Sequence, residues 1–104
     1  MALAYLTLFS LFLDYPFHLF PPSTLLVDVG GGIGSLAELL LPTQPHLNFV
    51  VEDLEPVMKL ATEVASPNMK NWMNEGKVKF QTHDCFQPQP ETVKGAVFIL
   101  KNLM

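Results

Sequence analysis

Between Leu25 and Leu40 the chain reads LLVDVGGGIGSLAELL, an apolar run holding one acid, then glycines at 30, 31, 32 and 34, then apolar residues at helical spacing. Glycines lack the side chains that would keep a ligand away from backbone N–H groups, and here they stand just before a helix start. Two ligand classes use such a turn. Gly32-x-Gly34-x-x-Ala37 satisfies the dinucleotide pattern, and Asp53 follows at about the 20-residue distance that fingerprint asks for. Asp28 argues for the other class. A carboxylate feeding the turn gains nothing beside an anionic pyrophosphate, whereas a cationic ligand pairs with it. S-adenosylmethionine carries both a sulfonium and an ammonium, and the pattern Asp28-x-Gly30-x-Gly32-x-Gly34 is more specific than a glycine triplet.

Two further acids close later apolar runs. Asp53 can accept hydrogen bonds from both hydroxyls of a ribose, a task for an acceptor-only group; its alternative is a loop acid or a cap for the helix near Pro56. Glu52 competes for the same role, but side chains alternate along a strand, so only one of the pair faces a crevice. Asp84 can accept from the exocyclic amine of an adenine, with Cys85 and Phe86 as an apolar slot, or simply form a turn. His18, His46 and His83 are isolated and read as structural, and Trp72 with Met69 and Met73 reads as helix packing. Cys85 is the one cysteine, so no internal disulfide and no cysteine metal cluster is expected, and a reducing, cytoplasmic setting fits.

The elements that must position these acids follow from the same pattern. Leu25 to Val29 reads as a strand, Ile33 to Leu41 as a helix ended by Pro42, and LNFVVEDL as a second strand. A helix from Pro56 stops at Ser66-Pro67, NMKNWMNEG is a short helix closed by Gly76, KVKFQTHD is a strand ending in Asp84, and AVFIL is a last strand. This alternation predicts a parallel sheet covered on both faces, with the crevice at the carboxyl ends of the strands, where Gly30, Asp53 and Asp84 fall.

Upstream, Pro16, Pro21 and Pro22 mark a linker, giving a leader and linker over 1–22 and the domain proper over 23–104. MALAYLTLFSLFL has no charge before Asp14. It reads as a helix that is buried or faces a partner, with a signal or anchor and a misplaced start as alternatives. A helix of that length spans about 20 Å, short of a roughly 30 Å hydrocarbon core, and no basic residue precedes it. At 104 residues the chain is one domain, and the balance of 49% apolar to 15% charged residues is that of a folded one. Its net charge of −4 and scattered lysines offer no basic face, which excludes nucleic acid as an expected partner.

Four blocks in this order, LVDVGGGIG, FVVEDLEPV, VKFQTHDCFQPQP and GAVFILKNLM, resemble the methyltransferase domain of plant and fungal small-molecule O-methyltransferases, the caffeic-acid and flavonoid O-methyltransferase-like group. The likeness runs from about Tyr15 onward. It implies an α/β fold, a partial Rossmann-like S-adenosylmethionine-dependent methyltransferase domain of about four parallel strands with flanking helices. It also implies S-adenosylmethionine as cofactor and a small-molecule hydroxyl as acceptor. By position, Asp28 and the turn of Gly30, Gly31, Gly32 and Gly34 would serve the methionine portion, Asp53 the ribose, and Asp84 with Cys85 the adenine. Lys101 matches a lysine beside the cofactor, while Cys85 replaces a methionine common in the plant enzymes.

Members of the group continue a segment like LKNLM into a histidine that acts as general base. No counterpart is found before Met104, so no catalytic residue is assigned, and the expectation is cofactor binding with little or no turnover alone. The alternatives are a dinucleotide-binding fragment and a non-catalytic piece that self-associates through an exposed AVFIL edge and the apolar leader.

Overall fold

A computed structural model describes residues 2–6, 16–84, 87–89 and 95–101. Its strands are β1 (Ala2–Leu6), β2 (Leu25–Val29), β3 (Asn48–Asp53), β4 (Val78–Thr82) and β5 (Val97–Lys101). They form one sheet in the order β1-β5-β2-β3-β4, and every pairing is parallel. Helices α1 (Ser35–Leu40), α2 (Glu55–Val64) and α3 (Pro67–Asn74) connect β2 to β3 and β3 to β4. This is a partial Rossmann-like α/β fold, as the sequence predicts.

Each helix boundary has a local cause. Gly34, at φ 86°, sets the start of α1. Pro56 sits in the first turn of α2, where its missing N–H costs nothing, and Pro67 opens α3 in the same way. Ser66 caps α3, its Oγ accepting from the Met69 N–H at 3.1 Å. Ser66→Ala is expected to lower the unfolding free energy by about 1 kcal/mol, read as a shifted denaturant midpoint at unchanged slope.

The steps β2 to β3 to β4 run in one direction across the sheet, so right-handed crossovers place all three helices on one face. There Leu26, Phe49, Val51 and Ile99 of the sheet pack with Ala37 of α1, Met58 and Ala61 of α2, and Met69 of α3. Trp72 and Met73 lie against this core, in keeping with their reading as helix packing. His46 Nε2 meets the Phe17 carbonyl oxygen at 3.2 Å, a structural contact far from the strand ends that carry the acids.

The opposite face carries a smaller cluster, Val27, Val29, Ala96 and Phe98. These residues are buried too, so both faces of the sheet are covered as expected, although among the described residues no α-helix lies on this one. In the strand order, β5 returns to the far side of β2 from β3 and β4.

Three expectations change. Ala2–Leu6 is a strand, not a helix, paired from Ala2↔Val97 to Leu6↔Lys101, which makes five strands rather than about four. The rest of the leader, to Leu13, lies outside the described residues. The AVFIL segment is no edge, because β5 is bonded to β1 on one side and to β2 on the other. β4 stops at Thr82, so Asp84 stands in the following loop instead of ending the strand. Among the described residues no helix is long and apolar enough to cross a membrane.

Candidate cofactor-binding site

Where β2 ends, the chain turns through Gly30 to Gly34 across the carboxyl end of β3. Gly31 fits because nothing else does: a Cβ there would stand 2.6 Å from Asp28 Oδ2 and 2.8 Å from Val51 Cγ1. Gly34 combines a left-handed backbone with neighbours at 3.1 Å, the Met69 Cε and Phe80 Cε1 atoms, so a side chain is disfavoured twice. The turn is fastened to β3 by two bonds. Gly31 N–H donates to the Glu52 carbonyl oxygen at 2.9 Å, and Gly32 N–H donates to Asp53 Oδ2 at 3.0 Å.

Asp53 is the junction of the site. Its Oδ1 accepts from the Leu54 N–H at 2.8 Å, and its carbonyl oxygen accepts from the His83 N–H at 2.9 Å, which brings the loop after β4 alongside. The first of these bonds lies at the start of α2, whose N-cap residue, Leu54, has no side-chain bond of its own. A carboxylate oxygen that accepts one amide keeps a further lone pair, so both oxygens of Asp53 remain able to accept a hydroxyl.

Asp28 is fully buried, with its carboxylate directly beneath Gly31. The turn thus packs directly against it at Gly31. Glu52 points to the other face, as strand alternation requires, and is also buried. Asp84 is exposed at the start of the loop, and its carbonyl oxygen accepts from the Gln87 N–H at 2.9 Å. Cys85 lies outside the described residues, and of Lys101 only the backbone is described, at the end of β5.

The structure therefore brings Gly31, Gly32, Asp53 and the Asp84 loop to one end of the sheet. Sequence reasoning passed over Gln81 and Gln89, whose side chains reach Glu52. The available signal was parity: if Asp53 faces the turn, Glu52 must find donors on the other side.

A parallel sheet with a glycine turn after one strand and an acid clasping it from the next defines a Rossmann-like cofactor-binding domain. The chain belongs to the O-methyltransferase domain family, whose model matches residues 11–104. It is 38% identical over 95 residues to the 4-O-methyltransferase 1 of Phanerochaete chrysosporium, covering 91% of this chain and 20% of that protein. An O-methyltransferase of Emericella nidulans, cicE, is 42% identical over 73 residues, or 69% of this chain and 14% of its own length. Among solved structures, the pyocyanin biosynthetic protein PhzM superposes with a TM-score of 0.65 at 25% identity over 83% of this chain and 24% of that one.

Human N-acetylserotonin methyltransferase, solved in complex with S-adenosylmethionine, superposes with a TM-score of 0.57 at 31% identity, over 74% of this chain and 20% of that one. The 104 residues thus span about a fifth or less of the curated relatives they match. The relatives cited from sequence are fungal O-methyltransferases, and nothing in them singles out the caffeic-acid and flavonoid group.

Proposed function

We propose that this chain is the cofactor-binding part of an S-adenosylmethionine-dependent O-methyltransferase whose acceptor is the hydroxyl of a small aromatic or secondary metabolite. The observation that carries the reading is the clasp between Gly32 and Asp53, which holds a bare backbone turn and a carboxylate side by side at the strand ends. The residues fit the cofactor. Gly30, Gly31, Gly32 and Gly34 leave backbone open for the methionine portion, Asp53 keeps acceptor capacity for ribose hydroxyls, and the adenine is assigned to Asp84 and, by the family resemblance, to Cys85. Asp28 shapes the turn from beneath, and Lys101 ends the neighbouring strand.

Bound there, the cofactor supplies a methyl group on a sulfonium, a good leaving group for attack by an oxygen. The chain's own part is to bind and orient. Among the described residues no group is assigned as the base that takes the hydroxyl proton, and methyl transfer is expected to need residues outside those described. The single cysteine, which offers no internal disulfide, is in keeping with a cytoplasmic setting.

Calorimetric titration of the purified chain with S-adenosylmethionine and, separately, with NAD tests the reading. Saturable binding of the first alone is the expected result. Binding of NAD instead would reassign the turn to a dinucleotide, and binding of neither would overturn the cofactor reading.

A further inference from the structure

The Glu52 side chain lies on the face of β3 opposite that of Asp53, and it is 1% exposed. Its carboxylate has two amide donors from different parts of the chain. Oε2 accepts from Gln81 Nε2 at 3.1 Å, across the Glu52↔Gln81 register of β3 and β4. Oε1 accepts from Gln89 Nε2 at 2.8 Å, in the loop that follows β4. A buried carboxylate is costly and is tolerated where bonds to it are needed, so the useful question is what these bonds join.

Together with the main-chain bond of the same residue, they link the glycine turn to the loop after β4. The Glu52 carbonyl oxygen holds the Gly31 N–H, and the next residue, Asp53, holds Gly32. Gln89 belongs to the loop that starts at Asp84, whose carbonyl oxygen is bonded to Gln87. One residue therefore ties the glycine turn with its main chain and the Asp84 loop with its side chain.

We propose that Glu52 is a positioning residue for cofactor binding: its carboxylate clasps Gln89 and so keeps the Asp84 loop at the mouth of the crevice that its own backbone helps to form. The inference rests on the cofactor reading given above. The clasp needs hydrogen bonds, not charge. A glutamine at position 52 keeps both links once the Gln89 amide turns over, accepting from Gln81 with its oxygen and donating to Gln89 Oε1 with its nitrogen.

The test compares the wild-type chain with Gln89→Ala, Glu52→Ala and Glu52→Gln, reading S-adenosylmethionine affinity by calorimetry and the denaturant midpoint in parallel. Gln89→Ala removes the loop link alone, and is expected to weaken binding about tenfold, the effect of one charge-assisted bond, with the midpoint little changed. Glu52→Ala is expected to weaken it at least as much, and Glu52→Gln to restore affinity to within about threefold of wild type. A packing role alone would move the midpoint and leave the affinity of the folded fraction untouched.

Wild-type affinity in folded Gln89→Ala would overturn the proposal, as would a folded Glu52→Gln that binds as poorly as the alanine variant. If Glu52→Ala does not fold, Gln89→Ala decides. Failure of the wild-type chain itself to bind overturns the cofactor reading first and the positioning role with it, a result distinct from a wild type that binds and a Gln89→Ala that binds equally well.

Discussion

Gly31→Ala is expected to be among the most destabilising single substitutions in this chain, lowering stability by about 3 kcal/mol and the melting temperature by roughly 10–20 °C. The cause is contact rather than backbone strain. The new methyl would lie 2.6 Å from Asp28 Oδ2, 2.7 Å from Asp28 Cγ and 2.8 Å from Val51 Cγ1, all inside normal contact. Neither neighbour can retreat, because Asp28 and Val51 are fully buried on inner strands whose register is held on both sides. Gly32→Ala is the matched control: its φ is 62°, but nothing lies within 4 Å of its Cβ. That variant is expected to lose only the left-handed penalty, about 1–2 kcal/mol. Thermal unfolding of the pair by circular dichroism separates the two causes, and equal losses would show that the space beneath Gly31 is not what matters.

Asp53→Ala should reduce S-adenosylmethionine affinity by on the order of a hundredfold or more, since it deletes two charge-assisted acceptors at once. It also releases Gly32 and Leu54 from their bonds to the carboxylate, so the turn loses an anchor in the same step. Asp53→Asn divides these effects. An asparagine has one acceptor oxygen and can hold either Gly32 or Leu54, while its NH2 group faces the other amide donor. Its expected affinity lies between wild type and alanine. Calorimetry on both variants, at protein concentrations where each is folded, provides the comparison; alanine binding as tightly as wild type would remove Asp53 from the site.

What could be read in advance depended on how local its cause was. The strand, turn and helix of Leu25 to Leu40 follow from residues within a few positions of one another, and the structure places β2 and α1 there with a residue or two trimmed at each end of the helix. The same holds for Pro56 and Pro67, which mark helix starts by their own covalent geometry. Alternation correctly separated Glu52 from Asp53, because the parity of a strand is fixed once one face is known.

The partners of Glu52 were not legible, since Gln81 is adjacent only through the register of β4 and Gln89 only through the path of a loop. The leader was misjudged for a related reason. An uncharged apolar run such as Ala2–Leu6 has no periodicity to tell strand from helix, and its partner β5 stands at the far end of the sequence. The face taken by the three helices likewise depended on strand order, which no local pattern states.

The parallel order β1-β5-β2-β3-β4 also has a consequence in time. β2, β3 and β4 pair with neighbours along the sequence and can assemble as the chain emerges, closing moderate loops as they go. β1 and its partner β5 stand at opposite ends of the described sequence. Ala2 pairs with Val97, and β5 joins β1 on one side to β2 on the other. The β1–β5 pairing is therefore the longest-range one in the sheet, a closure of high contact order whose two strands must find each other across all the elements between them.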